Sequence, residues 1–371
     1  MRVFTKRLVA VLFSIILFLP AVSILLPVSV AEIENRPLER PEFTVDRLLD
    51  TNLYRELLRY VRDANPVRTR LIWLGAGLDF WVFDDSPDPS RVFKGRDDWL
   101  FFRKTIVNAC STEPEAVVEN LEAFVMQLEE EIETVVLTIA PSKYTMQPEW
   151  LTADQFRLIG CARAASERLR QLLADATFEH YVDGWALFER VKNAGIQPYF
   201  RTDTHFNFEA SIPWMKALID EIAPIWDPSA VRTLGTVDFQ GNLMSFLGLP
   251  LPEQVQEVVV DRGITPEVVT ILPGDTAATY RVPEDVNAAL IEGSAVIVGD
   301  SFMVLPRPSL VQYFREVTVL DWQRGGAQAA AFDAFLDVAF LADIVIIEVS
   351  EMDVWPLFAD QSFLRTDSDT R

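Results

Sequence analysis

Apolar and polar positions follow three different rhythms along this chain, and each rhythm predicts a different kind of element. The first is unbroken: residues 8–31 read LVAVLFSIILFLPAVSILLPVSVA, 24 positions without a charge. As a helix rising about 1.5 Å per residue, that run can span a hydrocarbon core of about 30 Å. Arg2, Lys6 and Arg7 precede it, and no acidic residue occurs before Glu32. The positive-inside bias therefore predicts one N-terminal transmembrane helix, with all that follows Glu32 outside the cytoplasm. A cleaved signal peptide ending at Ser29-Val30-Ala31 is the alternative, although the run exceeds an h-region of about 7–15 residues. Export follows from both.

The second rhythm has the helical period. Val117, Leu121, Phe124, Val125 and Leu128 form one stripe, which predicts a helix over 113–131 with Thr112 as its N-cap. Similar spacing predicts helices over 152–175 and over 208–222, the latter with Asn207 available to cap it. Leu48, Leu49, Leu53, Leu57 and Tyr60 mark a shorter amphipathic helix after a proline-punctuated arm.

The third rhythm is a set of short β-branched runs at 134–140, 295–298, 317–320 and 344–349, with a further short strand at 178–182. TVVLTIA and IVIIEV suit strands buried on both faces. Strands alternating with helices predict an α/β fold, a mostly parallel sheet with helices on both faces. Residues 225–293 break the pattern with Gly and Pro, and hold an expected strand pair around 255–260 and 268–272. The expected organisation is an anchor at 1–31, an arm and helix at 32–90, and one α/β domain at 91–355. Within that domain 225–293 reads as an irregular insertion, and 356–371 as a tail.

Composition narrows the function. The 33 Lys+Arg stand against 55 Asp+Glu, a formal charge of −22, which repels phosphate backbones and makes nucleic acid an unsuitable partner. Nine Trp and 25 Phe exclude a disordered acidic chain. Two Cys and two His are too few for a multi-metal site built from those ligands; carboxylate-bound ions stay open, and nothing calls for a cofactor. In an oxidising compartment Cys110 and Cys161 are expected to pair, with two buried thiols as the alternative.

The densest chemical signal is Val296-Ile297-Val298-Gly299-Asp300-Ser301-Phe302. A buried strand ends in Gly-Asp and delivers a serine just beyond its carboxyl end, where open α/β sheets place reactive groups. A serine hydroxyl needs a base to become a nucleophile, and that base needs a carboxylate to orient it. Of the two histidines, His180 sits inside a predicted strand and reads as a strand side chain. His205 follows Asp203 by two positions, so an extended segment would place both side chains on one side. Ser301, His205 and Asp203 thus form a candidate nucleophile, base and orienting acid. Taken singly, each piece also reads as turn or capping chemistry, with Asp300 and Ser301 satisfying backbone groups.

Taken together, the pieces resemble the SGNH-type acetyltransferase domain of the alginate O-acetyltransferase AlgJ/AlgX family, in which Asp-x-His precedes the Ser. Other family-like pieces keep the order: Glu34-Asn35-Arg36-Pro37, Asp63-Ala64-Asn65-Pro66-Val67-Arg68, Lys94-Gly95-Arg96-Asp97-Asp98-Trp99-Leu100-Phe101 and Ala140-Pro141-Ser142-Lys143. The resemblance spans roughly residues 34–350. It implies an SGNH-hydrolase-like (flavodoxin-like) fold and O-acetyl transfer to a cell-surface or secreted polysaccharide, through an acyl-Ser301 intermediate. It further implies a multi-spanning membrane acyltransferase as the acetyl donor partner. With the anchor, the chain would be single-pass in the cell (inner) membrane, its catalytic domain on the extracytoplasmic or periplasmic side. An esterase or deacetylase with the same triad, and a non-catalytic polysaccharide-binding scaffold, are the competing readings.

Three positions depart from the family pattern. Phe206 stands where Trp is usual, Asp98 where Gly is frequent, and Met303 where a small residue is common. The Trp99-Leu100-Phe101-Phe102 run reads as core packing in preference to a sugar platform, and Lys143 as a capping or surface lysine in preference to a substrate contact. The Arg324-Gly325-Gly326 turn offers a backbone N–H for an oxyanion, with loop flexibility as the competing reading.

Overall fold

A computed structural model describes residues 13–14, 41–47, 50–63, 66–249, 251–271, 277–322 and 335–360. The expected anchor at 8–31 lies outside these residues except for Phe13 and Ser14. Among the described residues, no helix is long and apolar enough to cross a membrane. Two compact units emerge: Met1–Lys94 with Gln240–Leu251, and Gly95–Phe239 with Pro252–Arg371.

In the first unit, α1 (Thr51–Asp63) and α2 (Pro66–Gly77) follow one another, and α2 runs into a short π-helical turn at Leu78–Val82. Pro66 fits a first-turn position because its missing N–H would have no helical partner there. Leu53 of the predicted stripe is buried. Leu48 and Leu49 lie outside the described residues. Lys94 closes this unit, donating to Asp84 and to the Phe80 carbonyl.

The second unit is built on a sheet of seven strands. These are β1 (Thr134–Ala140), β2 (His180–Val182), β5 (Glu267–Ile271), β6 (Ala277–Arg281), β7 (Ile291–Gly299), β8 (Phe314–Asp321) and β9 (Ile344–Ser350). Their spatial order is β2-β1-β9-β7-β8-β6-β5. The first five are parallel, and β6 and β5 extend one edge in antiparallel fashion. Parallel register brings Ala140 opposite Ser350 and Gly299 opposite Asp321, so the carboxyl ends of β1, β9, β7 and β8 come out side by side. Such inner strands must be apolar throughout, and Val136, Leu137, Ile297, Val298, Ile346 and Ile347 have no exposed surface.

The helical predictions hold with local differences. Helix α4 (Pro114–Glu129) starts beyond the expected cap, because Pro114 suits the first turn, while Thr112 ends the preceding α3 (Arg103–Ser111). The long helix expected over 152–175 is two helices. Ala153–Leu158 opens with a capping box of Thr152 and Gln155, then the chain leaves helical geometry at Ile159, and α5 (Gly160–Asp175) begins. Glycine at that junction is a poor helix former. Helices α6 (Gly184–Asn193) and α7 (Phe208–Ile222) follow, and Asn207 caps α7 by accepting from the Ala210 N–H. A final helix, α8 (Glu351–Leu357), leaves the end of β9. Cys110 in α3 and Cys161 in α5 are joined by a disulfide, their Cα atoms 5.6 Å apart.

Both strands expected inside 225–293 form, but they do not pair with each other. β4 (Glu253–Val260) pairs instead with β3 (Val231–Phe239) in a separate antiparallel ribbon, while β5 turns back on β6. Gly263 separates β4 from β5 with a positive φ of 68°, its N–H accepted by Asp261. This turn directs β5 to the edge of the main sheet, away from β4.

Candidate active site

β7 positions the serine. Its last residue, Gly299, admits no side chain, because a Cβ there would stand 2.8 Å from Glu348 Oε2 and overlap Met303. Asp300 then ties the turn down: Oδ1 accepts the Phe302 N–H at 2.8 Å, and Oδ2 accepts the Ser350 N–H of β9 at 2.8 Å. Glu348, also on β9, accepts the Asp300 N–H at 3.0 Å. Ser301 begins a single 3₁₀ turn on this support.

Asp203 and His205 come from the segment before α7. The sequence suggests an extended stretch, but the chain bends there, and Asp203 Oδ1 accepts the backbone N–H of His205 at 2.9 Å. The same oxygen lies 2.5 Å from His205 Nδ1, so a local turn brings carboxylate and ring together. On the other edge of the ring, Nε2 lies 2.8 Å from Ser301 Oγ. All three candidate residues therefore meet outside the carboxyl ends of the strands. A proton held on Nδ1 by Asp203 leaves the Nε2 lone pair facing the serine hydroxyl.

Electrostatics suit a base. Burial alone would lower the His205 pKa. The Asp203 hydrogen bond and charge, with the charge of Asp300, outweigh burial and raise it above the ordinary imidazole value. Phe302 packs edge-on against the ring, centroids 4.7 Å apart. Phe206 is fully buried among Phe188, Trp214 and Phe302, so this departure from the family pattern lies in the packing behind the histidine.

Other candidates fall elsewhere. His180 is half-buried on β2 and pairs with Glu221, Nδ1 to Oε1 3.2 Å. Trp99, Leu100 and Phe101 are buried, and Trp99 stacks on Trp150 at 5.2 Å. Arg324-Gly325-Gly326 lies outside the described residues. Among the described residues no group of three His, Cys, Asp or Glu is placed to hold a metal. Lys143 corrects the expectation of a capping or surface lysine. Its side chain is buried, and Nζ donates to the carbonyls of Arg201 and Asp203 at 2.7 and 3.0 Å.

Residues 92–351 match the family model for the SGNH hydrolase-like domain of acetyltransferase AlgX. The chain belongs to that family. Among solved structures the fold is similar to Bacillus cereus PatB1 with a sulfonyl adduct, at TM-score 0.51 and 14% identity over 73% of this chain and 97% of that one. The O-acetyltransferase domain of Pseudomonas putida AlgJ aligns at TM-score 0.45 and 18% identity, covering 74% and 98%. A DHHW family protein from Eubacterium siraeum aligns at TM-score 0.47 and 14% identity, covering 68% and 88%. No curated protein matches by sequence. The PatB1 likeness speaks for the fold, which is the α/β SGNH-like architecture with a mostly parallel central sheet.

In this AlgX-type domain, sequence reasoning missed the carboxyl group under the Gly299-Asp300-Ser301 turn. Glu348 is completely buried, which raises its pKa well above the usual carboxylate range; the charge of Asp300 acts in the same direction. The available signal was one acid inside the fully apolar run IVIIEV. A carboxyl with a raised folded-state pKa is protonated in the folded protein and ionised in the unfolded chain above its ordinary pKa. Stability then falls as pH rises from that ordinary value toward the folded one, by about 1.4 kcal/mol per pH unit for one proton. Glu348→Gln keeps the shape and an acceptor oxygen for the Asp300 N–H but removes the titratable proton. Urea unfolding between pH 5 and 8 should show the variant gaining on the parent as pH rises; parallel curves would contradict a protonated Glu348.

Proposed function

We propose that this chain is an extracytoplasmic O-acetyltransferase acting on polysaccharide hydroxyls through acetyl-Ser301. The observation that carries the reading is the His205 ring held between Asp203 Oδ1 and Ser301 Oγ. Ser301 Oγ attacks the donor's acetyl carbonyl while His205 Nε2 takes the hydroxyl proton; the tetrahedral oxyanion collapses, and the leaving group departs with that proton. A sugar hydroxyl then gives its proton to His205, attacks the acetyl-serine carbonyl and leaves as the ester, and the proton returns to Ser301. Acetyl is conserved and no cofactor enters.

Family membership supports acetyl transfer, and AlgJ-like and AlgX-like relatives suggest a polysaccharide acceptor. The Cys110–Cys161 bond is at home in an oxidising compartment. The uncharged run at 8–31 would hold the chain in the inner membrane, beside a multi-spanning acyltransferase that supplies acetyl groups from across the bilayer.

The test is acceptor dependence with an activated acetyl ester as donor. A well-oriented hydroxyl can have an effective molarity of ~10⁵ M or more, enough to outcompete water at about 55 M. Ester turnover should be slow in water, rise on adding oligosaccharide, and leave acetyl on the sugar, with a transient mass increase on Ser301. Fast hydrolysis indifferent to any sugar, with loss of acetyl from an acetylated glycan, would identify an esterase instead. A glycan bound with no acyl-Ser301 and no turnover would identify a scaffold.

A further inference from the structure

The segment that carries Asp203 and His205 is gripped from two sides by buried charged side chains. On its carbonyl side lies Lys143, donating to Arg201 O and Asp203 O. On its amide side lies Glu253, the first residue of β4. One carboxylate oxygen accepts the Arg201 N–H at 3.1 Å, and the other accepts the Thr202 N–H at 2.8 Å and the Thr202 hydroxyl at 2.5 Å. Both side chains are more than nine-tenths buried. Lys143 Nζ also stands 4.9 Å from the Trp99 ring centre and 5.4 Å from that of Phe101. Two opposite charges withdrawn from water thus converge on the backbone of residues 201–203, and neither touches the reacting atoms.

We propose that Lys143 and Glu253 form a charge clamp that positions the Asp203–His205 turn, and that the clamp grips only while Lys143 is protonated. The inference rests on the catalytic reading of Asp203 and His205. An ammonium group satisfies two carbonyls with charge-assisted bonds, while a neutral amine donates weakly and cannot balance the Glu253 carboxylate. A turn relieved of that hold lets the carboxylate and ring drift, and displacements of about 1 Å at a reacting centre can cost ~10²-fold in rate.

The groups facing Lys143 define the pH at which the hold is lost. Burial pushes its pKa down to about 7; the charges of Glu253 and Asp203 raise it, and that of Arg201 lowers it further. Protonation is therefore lost as pH rises through neutrality, which predicts an alkaline fall in kcat that belongs to Lys143 and not to His205, whose neutral form is the active one.

The full chain, assayed from pH 5.5 to 9.5 with an activated acetyl ester, tests this. Wild type should lose kcat above about pH 7. Lys143→Arg, which stays charged, should move that fall up by more than two pH units. Glu253→Gln removes a charge that stabilises the ammonium and should move it down. Lys143→Met should lower kcat about 10²-fold at pH 6.5 with KM within threefold, and should abolish the alkaline fall. If Lys143→Met does not fold, the opposite shifts of the other two variants still decide. An alkaline fall unmoved in both overturns the clamp. Ser301→Ala serves as the separate control: its full activity would overturn the triad reading, whatever the lysine does.

Discussion

Asp203→Asn should lower kcat by about 10³–10⁴-fold while leaving the chain folded. Asp203 has two tasks at the same oxygen. It accepts the His205 backbone N–H, which shapes the turn, and it faces Nδ1, which orients the ring. An asparagine oxygen can keep the first bond, so the turn survives. It carries no charge, so the imidazolium that forms when Ser301 is deprotonated loses its partner in a buried site. The pH profile gives an independent sign. Burial works to lower the His205 pKa, and the Asp203 hydrogen bond and charge are the main forces raising it. Without that charge, His205 should titrate lower, and the acid limb of kcat/KM should move to lower pH. The predicted pattern is a large fall in kcat, a small change in KM and an acid limb shifted downward. A variant that retains rate within tenfold would remove Asp203 from the mechanism.

The disulfide carries the largest expected effect on stability. Cys110 and Cys161 are separated by 51 positions, and the bond ties α3 to α5. A loop of that size restricts the unfolded chain by about 4 kcal/mol in the chain-entropy treatment. Replacing both cysteines with alanine should lower urea-measured stability by about that amount and Tm by roughly 10 °C. Asp203, His205 and Ser301 lie on other elements, so turnover at a temperature where the variant is folded should persist. Thiol titration of the denatured, unreduced protein should find no free thiol. Two free thiols, or a stability loss below ~1 kcal/mol, would contradict the role assigned to the bond.

How much of this was legible beforehand divides along a physical line. Elements governed by near neighbours could be read directly. Thr134–Ala140 is a strand because its β-branched run suits burial on both faces, and Asn207 caps α7 through a contact three residues away. The turn that carries Ser301 belongs to the same class, since Gly299-Asp300-Ser301 closes a buried strand and Asp300 bonds within its own turn. Asp203 and His205 were identified for a related reason: two positions apart, they meet through local backbone, though by a bend in place of the extended geometry expected.

The remaining features depend on distant partners. Periodicity marks 255–260 as a strand but cannot tell that it pairs with Val231–Phe239, because pairing depends on which edge is free and where the Gly263 turn sends the chain. Lys143 reads as a capping or surface lysine until the fold places two carbonyls, two aromatic rings and the carboxylates of Glu253 and Asp203 around it, which offset only part of the cost of burying its charge. Glu348 stands 48 residues from Asp300 in the chain and receives its N–H in the fold. The sequence by itself determined the strand rhythm and the Asn207 cap and marked Asp203, His205 and Ser301 as candidates, because those follow from contacts within a few positions. Tertiary structure alone decided strand partners and the ionisation of buried groups, because both depend on neighbours that only the closed sheet brings within reach.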